Sequence, residues 1–151
     1  MVSKASSVRI FAGTVRHALD EKNRVTIPSR WRDEELGEFY AIMDPRKAVG
    51  LLVSAEEMER MTEEIEALEG LSASQKRSFT RQLFASARPC SIGKQGRIVL
   101  PPELCGALGL KGEVVMAGTG RRIELASPEV WDEMCDQEKE AFVQGAHDLG
   151  L

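Results

Sequence analysis

Apolar and polar positions along this chain alternate, pause and change period in the same order twice. Residues 8–19 alternate loosely and end in the polar turn Asp20-Glu21-Lys22-Asn23. Residues 24–27 alternate again, with Val25 and Ile27 on one face and Arg24 and Thr26 on the other, so this region reads as strand, turn, strand. Pro28 stops the second strand and suits a helix start, which predicts a helix over residues 28–36. Residues 39–43 and 50–53 read as strands joined by a turn at Pro45-Arg46-Lys47. Ser54 then caps a helix whose Met58, Met61, Ile65 and Leu68 share one stripe, and Gly70 ends it. A short helix capped by Ser72 or Ser74 is expected next, burying Phe79 and Leu83. The earlier order then returns: a strand, the turn Gly93-Lys94-Gln95-Gly96, a strand over 97–100, a helix begun at Pro101, and strands over 114–117 and 123–126. A last helix is capped by Ser127, carries Pro128 in its first turn, and is expected to bury Val130, Trp131, Met134 and Phe142.

The recurrence extends to residue identity at an offset of 73: without gaps between residues 11 and 61, nine pairs are identical. Phe11-Ala12 returns as Phe84-Ala85, Arg24 and Pro28 as Arg97 and Pro101, Met43 as Met116, and Ser54 as Ser127. This predicts two copies of one ββαββα unit in an α+β protein, with pseudo-two-fold symmetry and one small mixed sheet or barrel. The first repeat spans 8–70, a helical linker 71–83 and the second repeat 84–142, with flexible termini at 1–7 and 143–151. Each copy alone is too small for a substantial core, so the two are expected to share one. A pseudo-two-fold protein presents each surface feature twice, as recognition of a repeated or two-fold target such as duplex DNA would require.

Composition adds little beyond a globular class: 42% of the 151 residues are hydrophobic and 29% charged. No apolar run approaches the roughly 20 residues of a membrane span, and residues 1–7 hold no hydrophobic segment of a secretion signal. The expectation is a cytoplasmic protein. Charge changes the picture more. The net charge of −4 argues at first against a nucleic-acid partner, but the charges are sorted. Residues 1–32 carry seven Lys/Arg against two acids, and residues 76–97 carry six with no acid. Residues 55–69 hold seven Glu against one Arg, and residues 129–140 six acids against one Lys. A polyanion responds to the local potential of a patch, so one basic block per copy favours a nucleic-acid partner.

Both basic blocks contain a turn followed by a strand. Arg24 and Arg97 stand at the bases of these turns, with Lys22 and Lys94 two and three residues earlier. Both arginines should face away from the apolar side of their strand. There a guanidinium fork can clamp a phosphate or reach guanine O6 and N7 in a major groove. Asp20 can accept bonds within its turn and pair with Arg24, fixing the fork before binding. D-x-x-x-R is nonetheless a short motif that ordinary solvated hairpins also contain. Its occurrence within the repeated basic blocks is what selects Asp20, Lys22, Arg24, Lys94 and Arg97 as candidate DNA-binding residues.

The string from His17 to Pro28, HALDEKNRVTIP, resembles the first repeat of the MraZ family, transcriptional regulators of the bacterial division and cell-wall gene cluster. KQGRIVLPPEL, from Lys94 to Leu104, is similar to its second repeat, and SPEVW at Ser127 to the start of its final helix. The likeness covers residues 9 to 135 or so. It implies an AbrB-like swapped-hairpin fold and ring-shaped homo-oligomers that bind tandem promoter repeats of their own operon, usually as repressors. It implies double-stranded DNA and further copies of the chain as partners, a nucleoid location, and no cofactor, metal, membrane or small-molecule substrate. By position, Asp20 and Arg24 match the first D-x-x-x-R motif and Arg97 the arginine of the second. The second aspartate is Gly93 here, which leaves Arg97 without an orienting carboxylate, and Asn23 stands where a glycine is common.

Rival expectations remain. His17 and Cys90 occupy equivalent positions, and a nucleophile–base pair between them is the enzymatic rival, although no third orienting residue is evident. The stripe around Met58 and Met61 could serve an assembly scaffold, and an antitoxin of the same fold class is closer to the main expectation. The three cysteines, Cys90, Cys105 and Cys135, match no disulfide framework or zinc spacing and are read as reduced thiols.

Overall fold

A computed structural model describes residues 9–33, 35–44 and 48–151. The chain runs β1 (Phe11–Ala18), β2 (Arg24–Thr26), β3 (Glu38–Met43), β4 (Gly50–Val53), α1 (Ala55–Ala67), α2 (Ala73–Ser86), β5 (Arg88–Ser91), β6 (Arg97–Val99), α3 (Pro102–Leu108), β7 (Glu113–Gly120), β8 (Ile123–Ala126) and α4 (Pro128–Leu149). Among the described residues six strands form one antiparallel sheet in the order β1-β7-β8-β4-β3-β5, and β2 pairs with β6 in a separate ribbon. The class is α+β, in agreement with the sequence, but the expected mixed sheet is instead antiparallel at every described pair, with the β2–β6 ribbon apart from it. Among the described residues no helix is long and apolar enough to cross a membrane.

Pairing links the two halves of the chain: β1 lies on β7, β3 on β5, β4 on β8 and β2 on β6. One core cluster accordingly draws Phe11, Val25, Ile27, Trp31 and Phe39 together with Ile98, Leu100, Leu104, Val114 and Leu125. Phe11 meets Trp31 edge-on at 6.3 Å and Phe39 at 5.9 Å. Each aliphatic side chain so buried contributes about 1.5–3 kcal/mol. The helix starts are local and follow the sequence. The Oγ atoms of Ser54 and Ser127 accept from the amides of Glu57 (3.1 Å) and Val130 (3.2 Å). Ser72, rather than Ser74, caps α2, in a reciprocal pair with Gln75.

Several expectations are corrected. The helix over 28–36 is a single 3₁₀ turn, Ser29–Trp31, after which Arg32 is extended. Asp33 Oδ1 captures the amides of Glu35 and Leu36 at 2.9 Å, and Trp31 Nε1 donates to the Ala12 carbonyl at 3.0 Å. Tertiary anchoring of Trp31 and an Asx turn replace further helical bonds. Phe79, expected to be buried, is exposed, while Leu83 packs at the edge of a second cluster around Met58. Val130, Trp131 and Met134, expected to be buried, are only partly so, and Phe142 is 75% exposed because α4, at 22 residues about 33 Å long, outruns the sheet at its start. The same helix continues through residues 143–149 and ends at a left-handed Gly150. The predicted turn at Pro45-Arg46-Lys47 and residues 1–7 lie outside the described residues.

Two of the sequence identities are not structural equivalences. Phe11 is buried in β1, whereas Phe84 is an exposed residue of α2. Met43 faces Gly50, while Gly118 rather than Met116 faces Ile123, the residue 73 positions after Gly50. The first hairpin therefore holds two more residues between its strands than the second, which shifts β3 against β7. Met116 is fully buried as a result and Met43 is partly exposed.

Candidate nucleic-acid interface

The turn at 20–23 is built on Asp20. Its amide donates to the Arg24 carbonyl (3.1 Å), and its carbonyl accepts from the Asn23 amide (2.9 Å). Asn23 adopts φ 60, a left-handed conformation that asparagine tolerates. The turn at 93–96 repeats these bonds: the Gly93 amide donates to the Arg97 carbonyl and its carbonyl accepts from the Gly96 amide, each at 2.9 Å. Gly96, at φ 74, takes the place of Asn23.

The side chains differ. Asp20 Oδ1 accepts from the amides of Lys22 (2.9 Å) and Arg24 (2.8 Å), and Oδ2 accepts from Arg24 Nε at 2.6 Å. The Arg24 amide, and then its guanidinium, hold the Asp20 carboxyl below the usual carboxylate range. The carboxylate is thus ionised at neutral pH and aims a half-exposed Arg24. At the second turn Gly93 supplies no carboxylate, and Arg97 Nη2 donates to Gln95 Oε1 instead. Lys22 and Lys94 are exposed and form no ion pair among the described residues.

The ribbon brings the two turns together. Arg24 faces Val99, Val25 faces Ile98, and Thr26 faces Arg97. The Ile27 amide donates to the Gly96 carbonyl (2.9 Å) and the Leu100 amide to the Asn23 carbonyl (2.8 Å), so each turn is gripped by the end of the opposite strand. Val25 and Ile98 are 1% exposed. Their burial turns Arg24, Thr26, Arg97 and Val99 to the outer face, where Arg24 and Arg97 are diagonal neighbours roughly 7–8 Å apart. A shallow depression on this face is lined by Arg24, Gly93, Lys94, Gln95 and Arg97. Asp20, Arg24, Lys94 and Arg97 therefore belong to one surface, and Lys22 projects from the first turn. A two-stranded ribbon of this kind has the dimensions of a major groove.

Sequence reasoning missed two residues here. Arg32 lies far from the second turn in sequence, yet its Nε donates to the Ile27 carbonyl (2.8 Å). A Cβ placed on Gly96 would lie 2.4 Å from its Cζ, so its guanidinium covers that glycine. No local signal could have announced this contact between halves. Val99 was visible as an apolar residue in an outward position of the strand alternation. The rival pairing of His17 with Cys90 gains no support: they lie in β1 and β5, which are not hydrogen-bonded neighbours in the sheet, and the Cys90 thiol's hydrogen bond goes to the Arg88 carbonyl. Burial, aided by the Glu38 carboxylate, pushes the Cys90 thiol up to about 11, so it is a poor nucleophile at neutral pH. Among the described residues no group of three or more His, Cys, Asp or Glu could hold a metal ion.

The family model described as "MraZ protein, putative antitoxin-like" matches residues 83–149. Full-length relatives agree with it. The chain is 35% identical over 140 residues to the transcriptional regulator MraZ of Carboxydothermus hydrogenoformans, covering 93% of this chain and 96% of the relative. It is 33% identical over 137 residues to that of Caldanaerobacter subterraneus, covering 91% and 94%. It is 32% identical over 140 residues to that of Heliobacterium modesticaldum, covering 93% and 96%. With identity at this level running through both halves and nearly the full length of each relative, the chain belongs to the MraZ family.

Proposed function

We propose that this protein is a sequence-specific DNA-binding transcriptional regulator that represses its own division and cell-wall operon. In this proposal homo-oligomeric rings in the cytoplasm, associated with the nucleoid, bind tandem promoter repeats. The observation that carries the reading is the Asp20–Arg24 pair at the end of a solvent-facing ribbon that also presents Arg97 and Lys94. A preorganised guanidinium loses little freedom on binding, and its fork matches guanine O6 and N7 or a phosphate. The names of the relatives, all transcriptional regulators, support the same reading. The exchange of strand partners between halves supports a swapped-hairpin arrangement like that of AbrB-type regulators. Several subunits on adjacent repeats would convert modest single-site affinity into avidity. An antitoxin role is a second reading, favoured by the family description.

The test uses the full chain and a duplex from its own upstream region, with anisotropy titrations across a salt series. Arg24→Ala abolishes specific binding while assembly is retained, and Arg97→Ala weakens it less. Loss of one guanine contact corresponds to roughly 5- to 150-fold. Affinity falls steeply with salt because phosphate contacts release counterions. Undiminished binding by both variants removes the site, and absence of DNA binding at low salt removes the function.

A further inference from the structure

Val99 is the anomaly of the outer ribbon face. It is 53% exposed, whereas its strand neighbour Ile98 is almost completely buried. It stands directly opposite Arg24 and two positions after Arg97 in the same strand. An apolar partner chain seated on Val99 would also have to cover both guanidinium groups, of which Arg24 is paired with Asp20 and Arg97 is bonded only to the neutral Gln95, and desolvating a charge without an opposite charge is costly. A duplex does not impose that penalty, because its phosphates and guanines take the arginines while the major groove offers one apolar group, the thymine 5-methyl.

We infer that Val99 is a specificity-determining residue that packs on a thymine 5-methyl group beside the guanine taken by Arg24. This rests on the DNA-binding reading above and deepens it. Residues directly opposite on an antiparallel pair have Cβ atoms about 4.5–5.5 Å apart, and successive bases along a strand are about 3.4 Å apart. The thymine therefore lies within one or two base pairs of that guanine. The corresponding position opposite Arg97 is Thr26, which is half-buried and carries a hydroxyl. The ends of the ribbon thus differ, and the pseudo-two-fold surface reads its site in one direction.

The experiment selects duplexes from a random 20-base-pair library with the purified full chain, then replaces each thymine of the enriched sequence by deoxyuridine in turn. The wild type loses about fourfold in affinity at one thymine next to or one base beyond a guanine, the worth of a single buried methyl. Val99→Ala binds the thymine and deoxyuridine duplexes equally at that position, while Thr26→Ala keeps the wild-type preference. Val99 is not in the core, so Val99→Ala melts like the wild type, which a thermal scan checks. An enriched duplex with no sensitive thymine overturns the inference, as does a preference that survives Val99→Ala. A changed sedimentation coefficient in Val99→Ala with unaltered DNA preference also overturns it and assigns the residue to a contact between copies. A library that yields no enriched sequence removes the DNA-binding reading itself, a different failure from the other three.

Discussion

Glu57→Gln measures what a buried carboxylate contributes where α1 meets the turn between β7 and β8. Glu57 is 3% exposed and accepts from Arg60 Nε (2.7 Å) and Nη2 (2.8 Å) and from Arg122 Nε (2.8 Å). Burial by itself would raise its pKa, but the bonds and charges of Arg60 and Arg122 outweigh burial and hold it below the ordinary range. Glutamine keeps the shape and one acceptor oxygen, yet it removes the charge and turns an amide N–H toward a guanidinium. Removing one member of a fully buried pair costs about 3–5 kcal/mol. Arg60 and Arg122 keep 27% and 35% of their side-chain exposure, so water takes back part of the loss. The expected cost is about 2 kcal/mol. For a chain of this size that lowers Tm by about 6 °C in a circular-dichroism melt. The sign of the pH dependence follows from the depressed pKa. The contribution is complete above the unfolded value near about 4.3 and disappears as pH falls through the lower folded value. The gap between wild type and variant therefore stays constant from pH 8 to pH 5 and narrows only below about pH 4. Equal melting temperatures, or a gap that closes between pH 7 and pH 5, would refute the claim that the arginines outweigh burial.

Two further outcomes follow from packing. A Cβ on Gly118 would lie 2.4 Å from the Ala12 nitrogen and the Phe11 carbonyl carbon, backbone atoms that move only if β1 separates from β7. Gly118→Ala is expected to cost about 3 kcal/mol, whereas Gly37→Ala, with nothing within 4 Å, leaves the melt nearly unchanged; equal melts contradict this. Burial raises the thiol pKa of Cys90, to about 11, and of Cys105, while Cys135 is exposed. Iodoacetamide at pH 8 should therefore modify Cys135 alone in the native protein and all three cysteines in urea, read by mass spectrometry. Prompt native labelling of Cys90 contradicts the assigned burial.

Much of the candidate surface was legible before any coordinates. The turn chemistry of Asp20 and Asn23 is local, and strand alternation placed Arg24 and Arg97 opposite Val25 and Ile98. Alternation also points Val99 outward, but an exposed valine in a strand attracts no notice until Arg24 is found across the ribbon from it. Arg32 was assigned to a helix that does not form, because the pull of Trp31 into the core is a long-range effect that propensity does not register. Phe79 and Phe142 failed differently. Helical spacing shows which residues share a stripe, but whether anything covers that stripe depends on where the helix projects.

The succession of strands along the chain, helix caps, turn geometry and the outward placement of the two arginines follow from interactions spanning a few residues, which the order of amino acids specifies directly. The exchange of strand partners between halves, the two-residue difference between the hairpins, the Glu57 ion cluster and the closeness of Val99 to Arg24 depend on contacts between segments tens of residues apart. Such contacts arise only when the chain closes on itself. For that reason the candidate DNA-binding residues were identifiable one at a time, while the single face they compose emerged from the folded protein.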